Sequence, residues 1–191
     1  MAELDPISAA FAAIQARLRT FFLPNKWDFA IVPDPMSIDE FKRLVRKTPL
    51  LALGWRQLNP SKAVGRRFQG DLGLRLTIVV KNLLEGGPRF LGDARGPGLF
   101  PAMAGAIALL NGFTDPALGT VFVTAAAQAY ADGYTDHDIA IATLDLGAVV
   151  AIGDVTGAAA DAPGFLTMLS AFEPWPEGKD RDEPFEVRPT P

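Results

Sequence analysis

Leu72-Gly-Leu-Arg-Leu-Thr-Ile-Val-Val-Lys81 alternates without a break. Leu72, Leu74, Leu76, Ile78 and Val80 fall on one side of an extended chain, and Gly73, Arg75, Thr77, Val79 and Lys81 on the other. Successive side chains of a strand point to opposite faces, so a period of two specifies a β-strand with one face in a core. The opposite face is mixed, suited to water or to a docked partner. If Arg66 to Gln69 continues the strand it is a long one, with Gly70-Asp71 marking a bulge or bend in it.

Upstream of this strand, Asp5-Pro6 opens a helix, with aspartate as N-cap and proline at the first helical position. Ile7, Phe11, Ile14, Leu18 and Phe22 recur on one helical face until Pro24. Trp27 to Val32 reads as a short strand ended by Pro33-Asp34-Pro35. Ser37-Ile-Asp-Glu40 is a capping box; behind it Phe41, Leu44 and Val45 face inward while Lys42, Arg43, Arg46 and Lys47 face out. Leu50 to Leu58 is the next strand, followed by a turn at Asn59-Pro60-Ser-Lys62.

Downstream, Glu85 to Gly98 (EGGPRFLGDARGPG) is a Gly/Pro-rich connection, long enough to be functional or mobile. A helix follows over Phe100 to Asn111, with Pro101 in its first turn and Gly112 beyond its end. It carries no charge, so it should be buried on more than one side. Gly119 to Tyr130 and Asp138 to Leu146 read as a hairpin about residues 131–136. Val149 to Ile152 either extends its second strand or forms a short separate one.

A chain of 191 residues, 49% hydrophobic, can bury one sizeable core and is too short for two comfortable domains. Residues 1–172 are expected to form that domain. From Glu173 to Pro191 five prolines and alternating charges leave little to pack, as in an extended tail. The absence of cysteine rules out disulfides and thiolate metal sites. A sequence pI near 5.0 disfavours a general nucleic-acid or membrane-surface binder. Met1-Ala-Glu-Leu-Asp-Pro6 lacks the positive start of a signal peptide, and the longest uncharged runs are broken by Gly, Pro, Asn, Thr or Gln. A soluble protein without an address label is expected.

Charge is divided unevenly along the chain. Lys42 to Arg89 holds eleven basic residues and two acidic ones, a net of +9. The remainder holds seven basic and twenty acidic residues, a net of −13, and the two parts sum to the overall −4. One molecule's basic surface could therefore meet the acidic surface of the next, although a solvated strand face is the plainer alternative.

Nothing forms a recognisable catalytic kit, and no enzyme activity, cofactor or metal is expected. The single histidine, His137, has Asp132, Asp136 and Asp138 nearby, but the spacing is not that of a calcium loop and a solvated turn explains it. Ser8, Ser37, Ser61 and Ser170 are the only serines, and none sits in a Gly-x-Ser-x-Gly elbow. Gly92 to Gly98 looks like a phosphate loop, yet it matches neither glycine-rich fingerprint, and Pro97 removes an amide. A nucleic-acid module using Lys42 to Arg89 would want exposed interleaved aromatics; Trp55 and Phe68 instead fit alternating core positions.

From Leu51 to about Asp154 the order of parts resembles the tail-terminator, or tail-completion, proteins of Mu-like and other long-tailed phages and prophages. The likeness is carried by the N-terminal amphipathic helix, Leu51-Ala-Leu-Gly-Trp55, and the strand from Arg66 to Val80. The Gly-rich loop, the apolar helix from Pro101 to Asn111 and the hairpin through Asp138-Ile-Ala-Ile-Ala-Thr-Leu-Asp145 complete it. The resemblance implies an α+β fold, a mostly antiparallel sheet with helices packed against it. It implies a ring, usually a hexamer, on the head-proximal end of the tail tube within the virion, assembled in the bacterial host cytoplasm. Such a ring caps the tube, stops its polymerisation and offers a surface for head joining, while DNA passes through without being read. Its partners would be further copies of itself, the tail tube protein and a head-completion or neck protein. The family has no catalytic residues to carry over. A head-completion or neck protein is the near alternative, a nucleic-acid-binding module the distant one.

A ring of identical subunits needs two different patches on one chain that fit each other. The residues expected at subunit or tube contacts are Arg56, Lys62, Arg66, Arg67 and Arg75, with Gly92 and Arg95 from the Gly-rich loop.

Overall fold

The computed structural model describes residues 5–46, 48–64, 67–81, 87–94, 96–116, 118–129 and 139–152, and for 62–64 and 67 the backbone alone. The chain divides into two units, Met1–Gly153 and Asp154–Pro191, and every described residue belongs to the first. The expected boundary at 172/173, the tail and His137 lie outside the described residues.

The architecture is α+β. Helix α1 (Pro6–Arg19) is followed by β1 (Asp28–Pro33), α2 (Ile38–Val45), β2 (Leu50–Val64) and β3 (Arg67–Lys81). Then come α3 (Pro88–Leu91), α4 (Leu99–Leu110), β4 (Phe113–Asp115), β5 (Gly119–Ala129) and β6 (Ile139–Ile152). The strands form one sheet in the order β1-β2-β3-β6-β5-β4. β1 and β2 are parallel and every other pair is antiparallel.

The period-two run does what its pattern dictates. Leu72, Leu74, Leu76, Ile78 and Val80 are buried beside Leu51 and Leu53 of β2 and Ala142, Leu144 and Leu146 of β6. Over this face lie α1, through Ala10, Ile14 and Leu18, and α4, through Leu99, Ala102, Ala106 and Leu110. The Asp5 carboxylate accepts the Ser8 N–H at 2.9 Å and caps α1. The buried row of α1 is Pro6, Ala10, Ile14 and Leu18, so Ile7 and Phe11 of the expected stripe lie at its margin. Arg17 ties the two helices by donating from Nε to the Leu109 carbonyl, one of the acceptors left over at the end of α4.

The opposite face is split. Val32, Leu50, Ala52, Val79 and Ile141 form a second buried cluster beneath Val45 of α2, with Phe41 and Leu44 alongside. Ser37 caps α2 as its sequence predicts, accepting the Glu40 N–H, and the Glu40 carboxylate pairs with Arg43. Beyond α2 the face is open and mixed, with Arg56, Arg75 and Asp145 on it beside exposed Phe122 and Val149.

Several details differ from expectation. β2 runs on to Val64, so Asn59-Pro60-Ser-Lys62 lies inside a strand where a turn was expected, and Trp55 and Phe68, expected at core positions, are exposed. β3 pairs without a break through Gly70-Asp71, and the irregularity falls on its partner, between Pro60 and Lys62 of β2. β4 has no signal in the sequence; three residues after the left-handed Gly112 (φ +76°) simply complete the ladder with β5. β6 runs unbroken to Ile152, which settles the Val149 to Ile152 alternative in favour of one long strand.

Candidate functional site

On the open part of the second face, Arg75 stands directly across from Asp145 in the β3–β6 ladder. Arg75 donates to Asp145 from Nε at 2.8 Å and from Nη2 at 3.3 Å. Arg56 donates to the same carboxylate from Nη1 at 2.7 Å. Asp34, in the turn after β1, completes the group at 3.4 Å from Arg75 Nη1. The Asp34 Oδ2 is buried without a hydrogen bond, so its pairing with Arg75 is the weaker half of the cluster.

Two β-bulges build this arrangement. Between Trp55 and Gln57 the register with β3 slips by one, making Arg56 the extra residue. Arg56 and Gln57 consequently both reach the same face, where strict alternation would separate them. On the other side of the central pair the register slips between Val123 and Ala125, and Thr124 is the extra residue. Its hydroxyl donates to the Asp145 carbonyl at 3.1 Å.

Next to the charges, Gly73 and Gly147 face each other across β3 and β6. A Cβ on Gly73 would stand 3.0 Å from Gln57 Cγ, and one on Gly147 3.3 Å from Thr124 Cγ2. The side chains displaced by the bulges thus lie across the glycines. The result is a depression of ≈ 190 Å³, lined by Arg56, Gln57, Asp71, Thr124 and Asp145 above the glycine floor.

The cluster holds two positive and two negative groups. The Arg75 hydrogen bond, with the nearby charges of Arg75 and Arg56, holds the Asp145 carboxyl below its ordinary range, and the Arg75 guanidinium is pushed up in return by the same bond. An ionised, doubly held carboxylate is a clasp for strands rather than a poised base. Among the described residues no group of three or more His, Asp or Glu could hold a metal ion.

Of the expected contact residues, the structure brings Arg56 and Arg75 together and pairs both within their own chain. Their charge is therefore largely spent in cis. The backbones of Lys62 and Arg67 lie further along the β2–β3 ribbon, and Arg66 and Arg95 lie outside the described residues. Gly92 is far from the cluster in sequence and has a backbone task. It ends α3 at φ +82°, and a Cβ there would come within 2.8 Å of the Gly98 amide. Asp34, Asp145 and Thr124 were not anticipated. Their positions depend on two bulges and on strand pairing, and only the period of 139–147 could have placed Asp145 on the mixed face.

A second exposed feature lies on the helical side. α4 has no charged residue, and part of its surface is open to solvent. Phe21 lies beside Gly105 in its middle, Phe100 is in its first turn and Leu91 ends the preceding α3; all three are exposed. Phe90 and Phe100 stack with ring centroids 5.4 Å apart. Among the described residues no helix is long and apolar enough to cross a membrane.

No protein-family model matches this chain, and none of the curated proteins compared with it gives a match.

Proposed function

We propose that this protein is a structural component of a phage or prophage virion, a tail terminator that forms a ring on the tail tube, stops tube growth and presents the head-joining surface. The order of parts resembling that family suggested the reading. The observation that supports it best is the exposed apolar surface around α4. An uncharged helix with Phe100 exposed in its first turn, and with exposed Phe21 and Leu91 near it, presents apolar side chains to water of the kind that mark protein contacts. Contact with another protein surface covers them. Further copies of the chain, the tube protein and a head-completion protein are the partners, and DNA would pass through without being read.

The electrostatic part of the expectation changes. Arg56 and Arg75 are already paired with Asp145 and Asp34, so they contribute little long-range attraction toward a neighbour. Apolar surface, rather than opposed charge, is the main drive for assembly in this proposal.

The experiment is light scattering and negative-stain microscopy of the purified protein, alone and mixed with tube subunits of the same phage. Rings, or tubes with one end capped and growth halted, are expected. A protein that remains monomeric and leaves tube length unchanged would overturn the assignment.

A further inference from the structure

The two ends of the sheet are guarded very differently. At one end, β4 covers only the first residues of β5, from Gly119 to Val121. Asn111 then takes over, its Oδ1 accepting the Val123 N–H at 3.2 Å. From Thr124 to Ala129 no described strand pairs with the outer edge of β5. This stretch, Thr-Ala-Ala-Ala-Gln-Ala, has neither charge nor proline, the usual devices that keep an edge from pairing with another chain. The other end is β1, six residues long, with Asp28 and Pro33 only at its two ends, Phe29 to Val32 uncharged between them, and Ile31 67% exposed.

We propose that the open edge of β5 pairs with the β1 edge of a second copy of this chain, so that the sheet continues from one subunit into the next. Three observations converge on that occupant. The open stretch 124–129 has the same length as β1, 28–33. Along the sheet β1 and β2 run together, and each of β3, β6 and β5 reverses direction, so β1 and β5 are antiparallel within a subunit. Copies repeated with the same face on the same side therefore bring β5 and the next β1 together antiparallel. Full overlap then sets residue 31 opposite residue 126 and residue 30 opposite residue 127.

That register also matches faces. Ile31, Leu53, Leu76, Leu144 and Ala126 already form one row across the sheet on its helix-covered side. The next copy's Ile31 would extend the row beside Ala126, a large exposed side chain against a small one. On the other face Ala30 would meet Ala127. A one-residue slip would turn apolar Ile31 to the wrong face, which excludes odd registers, and full overlap of the two six-residue stretches selects this one among the even registers. The two edges differ, so the contact is head-to-tail and can be repeated.

A six-residue strand pair covers less surface than the roughly 1,200 Å² of a stable isolated interface. A single contact should thus be weak, and closure, in which each subunit makes two, should hold the assembly. Closure rests on the ring proposed above; the edge pairing does not.

The chain has no cysteine, which makes the test direct. Ile31→Cys and Ala126→Cys are introduced singly and together at exposed positions. Directly opposed residues of an antiparallel pair lie within disulfide reach. After mild oxidation of the concentrated full-length protein, the double variant is expected to give a ladder of linked species on a non-reducing gel, with each single variant giving little dimer. A double variant that stays unlinked overturns the inference, as does dimer from Ala126→Cys alone in equal yield, which means two β5 edges meet. Unlinked protein that still forms rings would leave the ring standing and place its contact elsewhere. A ladder from protein that never caps tubes would support the edge pairing and remove the tail assignment.

Discussion

Replacing Asp145 with asparagine keeps the shape of the side chain and removes its charge. The carboxylate accepts three hydrogen bonds, two from Arg75 at 2.8 and 3.3 Å and one from Arg56 at 2.7 Å. An amide can still accept one of them, but it turns an N–H toward the other guanidinium. Hydrogen bonds to charged groups contribute about 1.5–3 kcal/mol where water is excluded. Here the side chains of Arg75 and Asp145 are 29% and 23% exposed and that of Arg56 is 44% exposed, so the upper end does not apply. Arg75 also retains Asp34. The expected loss is about 2 kcal/mol, most of it from Arg75, against about 0.5 kcal/mol for Arg56→Ala. Urea denaturation at neutral pH measures both, with an unchanged m-value as the check that only stability moved. In a chain of this length the Asp145→Asn loss corresponds to a Tm lower by about 4–8 °C. The pH dependence has a definite sign. The folded-state carboxyl titrates below its ordinary 3.8, so its contribution is complete above that value and fades as pH falls through the folded one. The gap between wild type and Asp145→Asn should narrow in acid. The reasoning fails if Asp145→Asn is no worse than Arg56→Ala. It also fails if a double-mutant cycle finds stronger coupling of Asp145 to Arg56 than to Arg75.

Four further outcomes can be measured in the same way. Leu76→Ala, at a fully buried position in the centre of the sheet, should cost about 3 kcal/mol and lower the Tm by about 6–12 °C. Gly70→Ala should cost about 2 kcal/mol, because the new Cβ would stand 2.8 Å from the Asn59 carbonyl oxygen and 2.7 Å from the Phe68 ring. Gly73→Ala, meeting only the exposed Gln57 side chain, should stay within about 0.5 kcal/mol. Asp5→Ala removes the cap of α1 and should cost about 1 kcal/mol near neutrality. The hydrogen bond from Ser8 holds the Asp5 carboxyl below its ordinary 3.8, so that cost should also shrink as pH falls through the lowered value.

The sequence by itself was sufficient for features whose cause is local. Alternation from Leu72 to Lys81 defines a strand and its buried face, because consecutive side chains must diverge. Asp5-Pro6 and Ser37 to Glu40 start their helices, because the donors they satisfy lie within three residues. Arg56 and Arg75 were singled out by charge, but no local pattern told what they would face. That depended on Asp145, 89 and 70 residues away, and on the pairing that brings it near. The extra residues Arg56 and Thr124 are visible only where one strand is counted against another, since a bulge is a mismatch between two ladders and not a property of either. The same holds for Val79 and Ile141, which alternation assigns to the mixed face and α2 covers. Which edges of the sheet stay open was likewise a tertiary decision. An edge is defined by the neighbour a strand lacks, and the sequence of β5 reads the same whether or not another strand lies beside it.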